Sequence, residues 1–196
     1  MELKPDHFWV VDVEGNGATP PEIVELAMVE VKGLRLTGES KRWLVRPATP
    51  ISSLASGIHG IRNKDVEACP AFSAIASEVR AVLESGTIVG HNVRVEVDVL
   101  TRQLPGWQPA MAIDTLKLAK NTRPGLESYA LSKLGGVLAL AEEAAKLTGK
   151  KSHSALYDAT LAALVFSRLL SEVPASRLQS TFLSADIFDE PQGSLL

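Results

Sequence analysis

Asp12 and Glu14 stand two residues apart at the end of Phe8-Trp9-Val10-Val11-Asp12-Val13, an apolar, valine-rich run that reads as a buried strand. Side chains alternate along a strand, so both carboxylates point to one side. Ionised carboxylates placed there repel one another and are costly to desolvate. A divalent cation is the simplest group that would hold them. The plain alternative is an acidic strand end that faces water. Gly15-Asn16-Gly17 follows, and glycines on both sides of Asn16 let the backbone approach a ligand closely.

A second acidic stretch is Gly90-His91-Asn92-Val93-Arg94-Val95-Glu96-Val97-Asp98-Val99-Leu100. On a helix Glu96 and Asp98 lie about 200° apart, so only one can face a common centre. Glu96 shares its face with the apolar Val99 and Leu100, and Asp98 with Thr101 and Arg102. Glu96 is therefore expected to point inward and Asp98 to form a surface i,i+4 pair, with Asp98 the second choice for the site. The third stretch is His153-Ser154-Ala155-Leu156-Tyr157-Asp158. Ser154 can cap a helix there, with Asp158 in its first turn and His153 just before it. An exposed histidine beside a helix-dipole aspartate is the bland alternative.

The elements that must position these groups follow from periodicity. Strands are expected over 8–13, 23–31 and 43–45, a meander ended by Pro47 and Pro50. The segment 51–61 is short and mixed, with a corner at Gly57-Ile58-His59-Gly60-Ile61. Apolar spacing predicts a helix over 70–84, stopped by Ser85-Gly86. Short strands at 87–90 and 111–114 alternate with helices over 95–104, 115–120 and 127–134. Residues 137–147 read as helical or as a lid-like loop, and a long helix covers 154–170. Beyond it no periodicity is clear, so the domain is expected over 1–172 with a partly ordered C-terminal tail over 173–196. Strands first, then strands alternating with helices, predict an α/β mixed sheet with helices packed on it.

The 196 residues suffice for one full core; 45% are hydrophobic and 22% charged, as in an ordinary globular protein. A net charge of −3 argues against a sequence-neutral nucleic-acid coat protein, though not against an enzyme with one local groove. No apolar run reaches membrane-span length and the N-terminus does not read as a signal peptide, so no membrane partner is expected. With a single cysteine, Cys69, the chain is expected to be cytoplasmic. His7 reads as a surface residue and His91 as a hydrogen-bonding turn residue.

Asp12-x-Glu14, His91-Asn92 followed by an acid, and His153 five residues before Asp158 occur in this order. Supporting pieces are Ile23-Val24-Glu25-Leu26-Ala27, Ile58-His59-Gly60-Ile61 and Ile113-Asp114-Thr115-Leu116. Over about residues 7–170 the chain resembles the DnaQ-like 3′–5′ exonucleases of the DEDD superfamily. The subgroup is the one with the histidine (DEDDh), and the match is to the short exonuclease X type. Two departures stand out. The family usually writes D-x-E-T-T-G at the first motif, and its second acid is an Asp where this chain has Glu96.

The resemblance implies a ribonuclease H-like fold, a mixed five-stranded sheet flanked by helices. It implies a two-metal hydrolase using Mg²⁺ or Mn²⁺, with Asp12, Glu14, Glu96 and Asp158 as ligands. It further implies His153 as general base, Gly15, Asn16 and Gly17 along the terminal nucleotide, and His59, Ile61 and Asn92 as further substrate contacts. Lys146, Lys150 and Lys151 could meet phosphates, or simply be solvated. The expected reaction releases nucleoside 5′-monophosphates from single-stranded DNA 3′ ends, with a replication or repair partner conceivable. An exoribonuclease, or a non-catalytic nucleic-acid or replication-partner binding module on the same fold, are the alternatives.

Overall fold

The computed structural model describes residues 7–84 and 86–188. Residues 1–6, Ser85 of the expected helix stop, and 189–196 at the end of the expected tail lie outside them. The chain opens with a meander of β1 (His7–Gly15), β2 (Ile23–Lys32) and β3 (Arg35–Leu44). Gly33 and Leu34, both at positive φ, make the two-residue turn between β2 and β3. Two short helices follow, α1 (Ser53–His59) and α2 (Asn63–Val66), then α3 (Phe72–Leu83), β4 (Thr87–Gly90), α4 (Arg94–Gln103), β5 (Met111–Asp114) and α5 (Thr115–Thr122). The C-terminal part is helical: α6 (Leu131–Val137), α7 (Ala141–Thr148), α8 (Ala155–Ser171) and α9 (Ala175–Leu183).

The five strands form one mixed sheet in the order β3-β2-β1-β4-β5, antiparallel on the meander side and parallel from β1 through β4 to β5. This is the expected ribonuclease H-like arrangement. The alternation of β1 divides the core. Phe8 and Val10 join Ala27, Val29 and the buried face of α8 on one side of the sheet, while Trp9 and Val11 pack with α3 and α4 on the other. The α8 stripe is rich in Ala159, Ala162 and Ala163, whose small side chains let the helix sit close to β1 and β2. Asp12 and Glu14 continue the Phe8-Val10 side of β1, so they emerge on the α8 face just where the apolar stripe ends.

Three expected elements differ. The apolar pattern marks only 43–45 as the third strand, yet β3 begins at Arg35. It is an edge strand whose residues 37–42 are exposed, so backbone pairing with β2 forms it and no hydrophobic alternation marks it. The mixed segment 51–61 holds α1, because the Ser52 hydroxyl accepts from the Ala55 N–H (3.2 Å). The helix expected over 127–134 starts four residues late. The Tyr129 hydroxyl donates to the Arg123 carbonyl (2.9 Å) and keeps that stretch a loop.

The segment expected as a tail contains α9. Its Phe182 is buried with ring centroids 5.6 Å from Phe8 and 6.4 Å from Phe166. After it, Asp186 bridges to Ile113 of β5 and takes the Ala112 N–H on its carboxylate (3.1 Å). Removing a buried aromatic from such a cluster leaves a cavity. Phe182→Ala is expected to lower unfolding free energy by about 3–5 kcal/mol in urea titration. A loss under about 1 kcal/mol would mean that α9 is peripheral to the core.

Candidate active site

β4 runs parallel to the middle of β1, pairing Ile88 with Trp9 and Val89 with Val10, and ends at Gly90, while β1 continues through Asp12 and Glu14 to Gly15. Asp12 and Glu14 come from β1 and Asp158 from the first turn of α8. One carboxylate oxygen of each lies within 4.8 Å of the others. Glu96, on the first turn of α4, is buried at 5% exposure, while Asp98 is exposed and lines a groove with Thr101 and Arg102. The helix register thus turns Glu96 inward and Asp98 out. Oε2 of Glu96 is buried without a hydrogen-bond partner among the described residues.

The electrostatics follow from this crowding. Burial raises the Asp12 carboxyl well above the ordinary carboxylate range, and Glu96, Asp158, Glu14 and Glu25 push it further. Glu14 is pushed up to about 7 by burial, then by Asp158 and Glu25. Glu96 is pushed up to about 8, mainly by burial, with Asp114 and Glu14 adding to it. Asp158 is raised by burial, offset in part by the His153 N–H that it accepts at 2.8 Å. Every charged neighbour that perturbs Asp12 is thus another carboxylate. Hard oxygen donors gathered around a half-buried point, one of them with an orphaned oxygen, fit a divalent cation.

His153 is exposed and sits in the left-handed region (φ 63°) just before α8. Its main-chain N–H is spent on Asp158, so the two residues are tied directly together. Ser154 does not cap α8 with its side chain as expected. Its hydroxyl turns to Glu25 instead, and the Ala155 N–H is also taken by Glu25 (3.1 Å). His91 is the expected turn residue, its Nδ1 bonded to the Thr115 hydroxyl (2.9 Å).

The substrate-contact candidates divide. Asn16 is fully buried and its side chain is spent. Its amide donates to the Thr49 carbonyl (3.1 Å) and its carbonyl oxygen accepts from Ala18 (3.1 Å) and Glu22 (3.0 Å). It pins the 16–22 loop and presents no side chain to a nucleotide, which corrects the expected contact. Gly17 (φ 81°) is exposed, but a Cβ there would meet the Ser52 hydroxyl at 2.3 Å, so the packing of the loop on α1 already requires glycine. His59 uses both ring nitrogens, Nε2 donating to the Gly15 carbonyl (3.2 Å) and Nδ1 accepting from Ile61 (3.1 Å), and burial keeps its pKa low. It braces the loop rather than reaching outward. Gly15 and Ile61 are half-buried, and Asn92 is exposed with its backbone held by Asp114 (2.8 Å). Lys146, Lys150 and Lys151 are exposed.

Sequence reasoning passed over Glu25 and Arg42 as members of the site's frame. A charged residue inside the otherwise apolar Ile23-Val24-Glu25-Leu26-Ala27 was the available signal for Glu25. Arg42, on an exposed edge strand, carried none.

The exonuclease family model matches residues 9–166. The chain belongs to the exonuclease family. It is 30% identical to the DNA polymerase III subunit epsilon of Aquifex aeolicus over 85% of this chain and 81% of that one. It is 27% identical to the 3′-5′ exonuclease DinG of Bacillus subtilis, covering 87% of this chain but only 18% of that protein. Among solved structures, exonuclease X in complex with 5′ overhanging duplex DNA superposes with a TM-score of 0.71. That match is at 28% identity and covers 89% of this chain and 99% of that one. These bear out the DEDD-superfamily resemblance and the fold. Among the described residues no helix is long and apolar enough to cross a membrane.

A proton-binding folded state sets the pH response of the metal-free protein. With folded values near 7 and 8 for Glu14 and Glu96 against an ordinary 4.5, the folded state holds more protons than the unfolded one between these limits. Stability in EDTA should therefore fall as pH rises from about 4.5 to about 8. Mn²⁺ or Mg²⁺ binds the deprotonated acids, so the rise in Tm on adding metal should be larger at pH 8 than at pH 5.5. Equal rises at both pH values in scanning calorimetry would count against metal binding at these acids.

Proposed function

We infer that this exonuclease-family chain is a 3′–5′ exonuclease that shortens single-stranded DNA from its 3′ end and releases nucleoside 5′-monophosphates. The observation that carries the reading is the gathering of Asp12, Glu14 and Asp158, with Glu96 buried beside them and His153 tied to Asp158. Carboxylates that repel one another so strongly serve a purpose when they hold cations, whereas a module that only grips nucleic acid has no need of them. Asp12, Glu14 and Asp158 would hold one divalent ion, with Asp12 shared to a second that Glu96 reaches. Mg²⁺ and Mn²⁺ suit this donor set. When bound, the two ions stabilise the charge that develops on the attacking and leaving oxygens of the phosphodiester.

The remaining steps belong to the chain's own groups. His153, exposed at the mouth, takes the proton from the attacking water as general base. The water oxygen bonds to phosphorus as the bond from phosphorus to the 3′ oxygen of the preceding nucleotide breaks; that oxygen takes a proton from solvent, leaving a 5′-monophosphate and a fresh 3′ hydroxyl, and His153 returns its proton to solvent. Gly15, Ile61 and Asn92 would meet the terminal nucleotide, and Lys146, Lys150 and Lys151 would meet phosphates upstream. The catalytic unit is taken as residues 1–172, with α9 closing on its core.

The likeness to a DNA polymerase III epsilon subunit supports DNA over RNA, a cytoplasmic setting and a replication or repair partner. Exonuclease X was captured on a 5′-overhanging duplex, whose 3′ end is recessed. The test therefore takes single-stranded DNA, recessed duplex and matched RNA, each labelled near the 5′ end, with Mg²⁺, Mn²⁺ or EDTA. A ladder shortening from the 3′ end is expected with metal and none with EDTA, fastest on single-stranded DNA. Faster loss of the RNA would make the chain an exoribonuclease; binding without shortening of any polymer would make it a binding module. In the same assay Asp12→Ala should abolish shortening. His153→Ala should cost about 10²–10⁴ in rate, with metal affinity by calorimetry little changed. A parallel loss of metal binding in His153→Ala would show that the histidine is a ligand.

A further inference from the structure

Glu25 is a carboxylate that the chemistry above does not use. It is 1% exposed, on β2, and stands opposite Glu14 in the β1–β2 register. Like charges directly across a strand pair are unfavourable, and a buried carboxylate persists only when it is paired and hydrogen-bonded. Both of its oxygens are committed. Oε1 accepts from the Arg42 Nε at 2.5 Å and from the Ser154 hydroxyl at 3.5 Å, and Oε2 accepts from the Ala155 N–H at 3.1 Å. With these donors engaged it lies outside the Asp12, Glu14, Asp158 cluster.

Its contacts fall 129 and 130 residues away, on the two residues that follow His153. A helix start leaves N–H groups in need of acceptors, and Ser154 supplies none from its own side chain. The sheet supplies one instead, through Glu25. Arg42 braces that carboxylate from β3, where it stands opposite Ala27, the residue two positions along β2. Just before this anchor His153 holds a left-handed backbone that L residues disfavour, with its N–H on Asp158. Such a conformation persists only where the surroundings over-determine it.

We propose that Glu25, braced by Arg42, is the positioning residue that fixes the start of α8, and through it the placement of His153 and Asp158 over the acidic centre. The proposal rests on the exonuclease reading for its catalytic consequence. Its structural consequence stands apart from that reading and is measured without metal or substrate.

The test uses the full chain with Glu25→Gln, Glu25→Ala and Arg42→Gln. Amide hydrogen exchange is followed by NMR in EDTA, and kcat and KM are measured on the labelled DNA with Mn²⁺. Glu25→Ala should raise exchange at the His153 and Ala155 amides at least tenfold while β1 and β4 keep their protection. A misplacement of about an ångström at a reacting group costs about 10²-fold, so kcat should fall by roughly that factor with KM within about threefold of wild type. Glu25→Gln, which keeps an acceptor for the Ala155 N–H, should lie between wild type and Glu25→Ala, as should Arg42→Gln. If Glu25→Ala does not fold, the same ordering against wild type is read from the other two variants. Wild-type exchange at His153 and Ala155 overturns the proposal. So does faster exchange spread evenly over the sheet, or local loosening with kcat unchanged. A wild-type chain that shortens no polymer overturns the exonuclease reading, and the exchange data then still decide whether Glu25 fixes residues 153–158.

Discussion

The structure depends on holding mutually repelling carboxylates together at the end of one strand. Asp12 and Glu14 leave the core on the same side of β1 that carries Phe8 and Val10, so the apolar packing that anchors the strand also fixes where the charges emerge. The opposing helix, α8, buries most of its surface against that side, which forces Asp158 of its first turn against the same place. Glu96 arrives from α4, on the other side of the sheet, because β4 stops at Gly90 beside the middle of β1 and the chain turns there into α4. Hydrophobic burial on both faces thus offsets a repulsion that each carboxylate would relieve by moving apart. The crowding raises the proton affinity of the set, and the same gathered oxygens suit a divalent ion.

Around this centre the chain uses buried polar groups to hold loops that no hydrophobic pattern could hold. Asn16 and Glu22 divide the task. Asn16 closes the 16–22 loop on itself and on Thr49, and Glu22 accepts the N–H groups of Ala48 (2.6 Å) and Thr49 (3.1 Å). The Ser52 N–H in turn donates to the Asn16 carbonyl (2.9 Å), which brings α1 and His59 alongside Gly15. In place of the family's D-x-E-T-T-G, this chain has a glycine-flanked asparagine whose role is internal.

The second departure, Glu96 for an aspartate, is absorbed in the same way. A glutamate extends farther by one carbon–carbon bond, about 1.5 Å. Glu96 spends that reach by lying buried with one oxygen unpartnered among the described residues, while Asp98 two residues on turns to solvent.

Local pattern determined much of this protein. The apolar run of residues 8–13, helical spacing from 70 to 84 and 154 to 170, and the short strands at 87–90 and 111–114 follow from which residues must be buried. The i+3 and i+4 neighbours of Glu96 sufficed to turn it inward, and the order of the three acidic motifs sufficed to suggest the family. What only the tertiary structure decided are features formed by groups distant in sequence. The edge strand β3 is made by backbone pairing and carries no apolar signal. Phe182 becomes core only because Phe8 and Phe166 are there to meet it. Asn16 looked ready for a ligand until Thr49 and Glu22 closed on it, and the start of α8 is capped by Glu25 from β2. Burial is written into a sequence as periodicity, but a single hydrogen bond between residues 130 positions apart leaves no periodic trace.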